Sequence, residues 1–312
     1  MRYYSYSDYL KEKFGEKVYK LPINLPVTCP NRIDGSGCAF CAGAGTGFEA
    51  MDSSNSVTEQ LSATQKLIAA KYHARKYIAY FQNYTNTFMD ISKFRTYLQE
   101  ASAFPGIVEI SVSTRPDCLT TEYLNVMNEI YEKTGIKMNI ELGLQTANYH
   151  TLAFIDRGHG LAEFINAVLM IKSYPDFTIC THVILNLPGD DLLDVKETAR
   201  ILAALNIDIV KLHSLYIPYH TKLCELYQNH EISLCTKEEY YERVVTFLEQ
   251  IPKEVVVERL FSRVPEKEAV FSNWGTSWWK MKDELMEKME SENRYQGKEF
   301  NYLNGAALNK LN

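Results

Sequence analysis

The sequence has no apolar run approaching the roughly 20 residues that cross a bilayer. Its N-terminal stretch also lacks the apolar core of a secretory signal, because Arg2, Asp8, Lys11, Glu12 and Lys13 interrupt it. These absences predict a cytoplasmic protein with no membrane partner. A basic excess is missing as well: 33 Lys and Arg stand against 39 Asp and Glu, for a formal net charge of −6. That balance argues against an extended phosphate-tracking surface, while leaving room for a local basic patch such as Arg2, Lys11, Lys13, Lys17 and Lys20. Glycine and proline, at 15 and 10 of 312 residues, are too few for a collagenous or low-complexity chain. No Pro/Ser-rich linker or internal repeat marks a domain boundary.

What is present is an α/β pattern. Short β-branched runs at Val18–Asn24, Tyr77–Phe81, Ile107–Ser113, Lys137–Gly143, Phe177–Leu187, Ile207–His213 and Glu254–Leu260 read as strands. Helical periodicity fills the intervals at Ser56–Arg75, Ile91–Ala103, Thr121–Thr134, Leu161–Ser173, Leu192–Leu205 and Lys237–Gln250. The first of these opens on a capping box, Ser56 with Glu59. Successive βα units predict a parallel sheet, in a partial TIM-like (β/α)6 barrel or, alternatively, a doubly wound open sheet. The expected organisation is an N-terminal extension at 1–17, the barrel at 18–264 and a helical C-terminal extension at 265–312. The last carries Trp274, Trp278 and Trp279 and is expected to pack over one end of the barrel. Aromatic residues make up 12% of the chain, and Tyr and Trp serve equally in cores and in stacking on rings.

Seven cysteines, an odd number without a signal peptide, point away from disulfides and toward reduced thiols or metal ligation. Cys118, Cys180, Cys224 and Cys235 are scattered and read as small buried hydrophobes. Cys29, Cys38 and Cys41 instead cluster within thirteen residues, directly after the first strand, where a parallel barrel keeps its catalytic rim. Structural zinc and ferredoxin-type clusters take four protein ligands. Here no fourth cysteine lies within seventy residues. Three readings follow: a four-iron cluster with one open iron, a Cys3His zinc site completed by His73, or unligated thiols. Gly43-Ala-Gly-Thr-Gly47 departs from the G-x-G-x-x-G pattern at Phe48 and reads as backbone that approaches the cluster closely.

Further motifs run along the chain: Tyr80-Phe-Gln-Asn-Tyr-Thr-Asn-Thr87, Ser113-Thr-Arg-Pro-Asp-Cys118, Glu141-Leu-Gly-Leu-Gln-Thr146, Asp156-Arg-Gly-His159, Asn186-Leu-Pro-Gly189, Val210-Lys-Leu-His213, Glu258-Arg-Leu260 and Tyr295-Gln-Gly-Lys298. With the C-x8-C-x2-C loop, this ordered set resembles the radical S-adenosylmethionine (SAM) superfamily, in its YhcC/YtqA-type family, which is related to the radical SAM domain of the Elongator catalytic subunit. The resemblance implies that Cys29, Cys38 and Cys41 hold a 4Fe–4S cluster that reductively cleaves SAM to a 5′-deoxyadenosyl radical. It further implies a reducing protein such as flavodoxin or ferredoxin. The cofactor-binding candidates are Phe40, Gln82, Asn83, Arg115, Glu141, Gln145, His182 and Lys211. Of these, Gln82-Asn83 replaces the family's common Gly-Gly-Glu at the SAM amino group. Arg115 is expected to pair with the SAM carboxylate, or else with a structural acid. Glu141 and Gln145 are expected at the ribose hydroxyls, with pairing of Glu141 to Lys211 as the alternative. His159 and His213 are candidates for substrate protons.

Elongator-like enzymes act on the wobble uridine of tRNA, so the resemblance puts tRNA first among substrates. The Elongator subunit also has an acetyltransferase domain, for which 312 residues leave no room, so acetyl transfer is not expected here. The competing readings are a radical SAM enzyme acting on a small metabolite or protein side chain and, remotely, a zinc-binding adaptor.

Overall fold

In a parallel sheet both faces of each strand are covered, which requires near-continuous apolar runs. The second strand runs Lys76–Phe81 with every residue but the first buried, and the third, Ile107–Thr114, is buried at all but one position. The computed structural model describes residues 2–33, 35, 37–42 and 50–311. Gly43–Gly47, which the sequence placed beside the metal loop, lies outside the described residues.

The chain alternates strands and helices. In order these are α1 (Tyr6–Phe14), β1 (Val18–Ile23), α2 (Val57–Tyr72), β2 (Lys76–Phe81), α3 (Ile91–Ser102), β3 (Ile107–Thr114), α4 (Thr121–Thr134), β4 (Lys137–Gln145), α5 (Tyr149–Phe154) and α6 (Leu161–Ile171). There follow β5 (Phe177–Ile184), α7 (Leu192–Ala204), β6 (Ile209–His213), β7 (Ile217–Pro218), α8 (Lys222–Gln228), α9 (Lys237–Gln250), β8 (Val256–Arg259), β9 (Ala269–Phe271) and α10 (Trp278–Ser291). The main sheet has seven strands in the order β1-β2-β3-β4-β5-β6-β8. Strand order never reverses, so the doubly wound alternative, which needs a switch point, is excluded. Six βα units followed by a seventh strand give the topology of a partial TIM-like barrel.

All seven expected strands and all six expected helices are present, with ends shifted by up to three residues. Three short helices, α1, α5 and α8, and the small antiparallel pair β7 and β9 were not expected. α5 spans barely more than one turn and owes its start to Asn148, whose side chain accepts from the amides of His150 and Thr151. Such brief elements leave no periodicity to read.

The chain divides into two compact units. One comprises Ser7–Leu144 and Asp156–Thr181. Its core gathers Leu21, Ile23, Phe81, Phe94, Leu98, Ile110, Leu124 and Phe164, all essentially inaccessible. β1, β2, β3 and β4 pair in parallel, so their C-terminal ends share one edge.

The other comprises Met1–Tyr6, Gln145–Ile155 and His182–Asn312. In it α7 packs on α9, and α10 buries Met281, Leu285 and Met289 at helical spacing. The residues beyond α10 are tied into the same unit. Gln296 accepts from the Tyr4 amide and donates to the carbonyls of Pro252 and Val255, while Arg294 forks onto Glu249 and reaches Glu242.

The expected basic N-terminal run is largely spent on structure. Lys13 pairs with buried Glu109 at 2.8 Å and Lys20 with buried Glu141 at 2.6 Å. Lys11 binds Asp8, and Arg2 reaches Asn293 and Glu290. Only a tertiary fold can show that these charges already have acidic partners.

Candidate iron–sulfur and cofactor site

β1 delivers the chain to its C-terminal edge, and Gln60 anchors the exit by bonding both the amide and the carbonyl of Asn24. The loop then turns twice on its own cysteines. Arg32 N–H donates to the Cys29 carbonyl at 2.9 Å, closing a short 3-10 turn begun by Pro30. Cys41 N–H donates to the Cys38 carbonyl at the same distance. Cys38 is buried and Cys29 and Cys41 half-buried, with no disulfide to any other cysteine.

Each of the three cysteines has a guanidinium. Arg115 Nη1 lies 3.8 Å from Cys29 Sγ, and Arg157 Nη1 donates to Cys38 Sγ at 3.5 Å. Arg32 donates to the Cys41 and Ala42 carbonyls through Nη2. Burial pushes the Cys41 thiol up, and Arg32 pulls it back toward the thiolate. Asn31 ties the loop to the chain beyond α5, its amide donating to the Asp156 and Arg157 carbonyls at 2.8 and 2.9 Å. Gly158 makes that approach possible: its φ is +75°, and a Cβ there would stand 2.3 Å from Asn31 Oδ1.

These residues fit a 4Fe–4S cluster held by three thiolates. Sulfurs that carry negative charge call for N–H donors and nearby cations, and both are supplied here. Arg157 Nε and Arg32 Nε are also buried with no partner among the described residues, as donors facing an absent acceptor would be. The His73 alternative fails on topology. His73 caps the C-terminus of α2 in a left-handed conformation, three residues before β2. It therefore lies at the strands' N-terminal edge, roughly 20 Å along β1 from the edge where the cysteine loop leaves.

Among the expected cofactor residues, Phe40, Gln82, Asn83, Arg115 and Glu141 share a unit with the three cysteines. Phe40 is half-buried within the cysteine loop. Gln82 and Asn83 follow β2 directly. The turn is fixed by Asn86, whose amide donates to the carbonyls of Phe81, Asn83 and Ser113. Asn83 Oδ1 is buried and has no partner among the described residues, an acceptor suited to a ligand ammonium. Arg115 forks onto Asp117 at 2.9 and 2.7 Å, the structural-acid arrangement foreseen as its alternative. Glu141 accepts from Lys20, Tyr80 and Ser111, joining β4 to β1, β2 and β3.

Gln145, His182 and Lys211 belong to the other unit. Gln145 ends β4 at a φ of +79°, uncommon for a side chain of its kind. The His182 ring lies beside that of His213, 5.3 Å between centroids, and buried Lys211 pairs with Glu258 at 2.9 Å. His213 Nδ1 stands 3.5 Å from the Ser262 hydroxyl. His159, by contrast, sits beside the arginines. Burial and Arg157 hold its pKa down to about 4, leaving a neutral imidazole at pH 7.

One expectation needs correction. Cys180 and Cys224 are buried, but Cys118 and Cys235 are half-exposed, Cys118 because it closes the Pro116–Cys118 turn at the β3 exit. The three tryptophans do not act alike. Trp274 packs on Tyr240 and Phe271 and donates to the Cys235 carbonyl, Trp278 lies under the Arg263 guanidinium, and Trp279 is exposed. Sequence reasoning gave Asn31, Arg32 and Arg157 no role. Their signal was the glycine after Arg157 and the polar pair after Cys29-Pro30.

Comparison with known proteins agrees with this geometry. The family model described as the Radical SAM superfamily matches residues 23–202, and that of the Radical_SAM C-terminal domain matches 207–291. The chain is 31% identical over 306 residues to the uncharacterized protein YtqA of Bacillus subtilis (strain 168), covering 97% of this chain and 94% of that one. It is 28% identical over 162 residues to the tRNA uridine(34) acetyltransferase of Methanocaldococcus jannaschii, covering 51% of this chain and 29% of that protein. Its fold is similar to the solved structure of Methanocaldococcus infernus Elp3 with an N-terminal deletion. There the TM-score is 0.69 at 18% identity, over 89% of this chain and 64% of that one. The chain therefore belongs to the radical SAM superfamily, enzymes that use a 4Fe–4S cluster and SAM, and within it to the YhcC/YtqA-type family.

Proposed function

We propose that Cys29, Cys38 and Cys41 are the cluster ligands and that the enzyme acts on tRNA, at the wobble uridine. The observation that carries the first part is the arrangement of one guanidinium at each cysteine. When bound and reduced, the cluster with SAM supplies a 5′-deoxyadenosyl radical by breaking the sulfonium C–S bond, with the electron drawn from a flavodoxin- or ferredoxin-like donor. The protein's part is to bind, orient and exclude water. Asn83 Oδ1 and Gln82 take the SAM ammonium, the Arg115 fork exchanges Asp117 for the SAM carboxylate, and Phe40 packs beside the ligand. Gln145, His182 and Lys211, in the other unit, remain candidates for cofactor binding on the strength of the family resemblance. Glu141 keeps the strands in register through its bonds to residues of β1, β2 and β3.

The tRNA assignment is supported by the partial match to a tRNA uridine(34) acetyltransferase. A second reading, a small metabolite or a protein side chain as substrate, is favoured by a different observation. Lys13 and Lys20, which would have served a phosphate backbone, are bound to buried carboxylates.

Anaerobic reconstitution followed by dithionite and SAM tests the chemistry. We expect 5′-deoxyadenosine from the wild type and a loss of at least about 100-fold in Cys38→Ala, the scale of removing an essential group. Stoichiometric zinc without product would sink the radical reading. Nucleoside analysis of tRNA from a deletion strain then separates the substrates: a missing modified uridine supports tRNA, and an unchanged profile supports the second reading.

A further inference from the structure

The three guanidiniums differ in how much of their charge reaches the sulfurs. Arg115 commits Nε and Nη2 to Asp117, so its charge is largely neutralised before Nη1 approaches Cys29. Arg32 donates to the successive carbonyls of Cys41 and Ala42 and stands over the Tyr84 ring. Arg157 alone places a nitrogen on a cysteine sulfur without any carboxylate partner among the described residues. Its other contact is Nη2 to the Gly143 carbonyl at 2.8 Å. Both Arg115 and Arg157 are buried, where charge acts through low dielectric. They are also one assembly, because the Arg157 carbonyl accepts from Arg115 Nη1 and from Asn31 of the cysteine loop.

We infer that Arg32, Arg115 and Arg157 form a charge collar that sets the reduction potential of the cluster, with Arg157 its principal member and Asp117 its counterweight. The inference rests on the cluster reading proposed above. Reduction adds one electron, taken from the low-potential donor, and hence one negative charge at the cluster. Buried cations and N–H···S bonds stabilise the reduced form more than the oxidised form and so raise the potential. Three arginines against one aspartate leave the collar net positive. Arg157 is therefore a positioning residue that acts through Cys38 on the ease of electron entry.

The test is an anaerobic redox titration of the cluster-loaded full chain without SAM, so that Arg115 stays paired with Asp117, read by the EPR signal of the reduced cluster, with iron and sulfide measured on each sample. Arg157→Gln should titrate at a more negative potential than wild type, Arg115→Gln less so, and Asp117→Asn should move the opposite way. A purely structural role for these residues would alter cluster content without opposed shifts in potential. If Arg157→Gln fails to hold the cluster, Asp117→Asn decides: a shift to more positive potential supports the collar, and a wild-type potential overturns it. Fully loaded variants that all titrate with the wild type overturn it too. A wild-type chain that takes up no iron and sulfide overturns the cluster reading itself, a different failure from a loaded cluster whose potential ignores the arginines.

Discussion

Asp190 shows how a single side chain can carry a pH dependence. It follows the Asn186-Leu-Pro-Gly189 turn, is nearly inaccessible, and leaves Oδ1 without a partner among the described residues. Burial pushes its pKa up to about 6, against the hydroxyls of Thr146 and Thr151, which pull it down. The folded chain thus holds this proton to higher pH than the unfolded chain, whose carboxyl titrates near 3.8. Above pH 4 the unfolded state binds fewer protons, so the contribution to stability is full below that pH and is lost as pH rises through 6. At 1.36 kcal/mol per unit the loss is about 3 kcal/mol. Asp190→Asn keeps an acceptor for both threonines and removes the titration. We expect its melting temperature to match the wild type near pH 4 and to exceed it near pH 7; equal differences at both would rule out this account.

Helix starts carry the next level of specification. Ser56 and Glu59 form the reciprocal capping box that their spacing announces, at the head of α2. Asp90 does similar work for α3, its carboxylate accepting from the amides of Ser92 and Lys93. Caps of this kind satisfy donors that the first turn cannot use itself. Replacing Asp90 by Ala should cost about 1 kcal/mol, measurable by urea denaturation. Because α3 begins well beyond the cysteine loop, iron and sulfide content should not change. Glu141 works between elements. Lys20, Tyr80 and Ser111 bring β1, β2 and β3 to one carboxylate on β4, so the strands' register is fixed by charge as well as by backbone pairing.

For the molecule as a whole, the division proposed from sequence places 265–312 outside the barrel, and this segment is no loose tail. α10 supplies three inaccessible side chains to its unit, and Arg294 and Gln296 supply buried or half-buried bonds to α9 and to the residues before β8. Deleting residues 265–312 would uncover the apolar surface on which α10 packs and leave Glu249 without its arginine. Losses of this kind, at about 2–5 kcal/mol for each large buried residue, exceed what a marginally stable unit tolerates. The expected outcome is a chain without a cooperative thermal transition by circular dichroism; a deletion variant that melts like the wild type would show the segment to be a separate module.

The sequence by itself determined what local pattern encodes. Strand and helix order follows from apolar periodicity and the α2 start from Ser56 and Glu59, while residue type and spacing single out the Cys29–Cys41 loop as the candidate metal site. Each depends on residues a few positions apart, where chain geometry fixes who meets whom. Tertiary structure alone decided the partners of the charges. Arg157 reaches Cys38 across 119 residues and Lys20 reaches Glu141 across 121. A lysine bound to a buried carboxylate and a lysine free to meet RNA look alike in the linear chain, because an ion pair has no periodicity. It is chosen by which strands the folded sheet brings together, and that choice turned Lys13 and Lys20 of an apparent basic stripe into internal struts and set an arginine beside each cysteine.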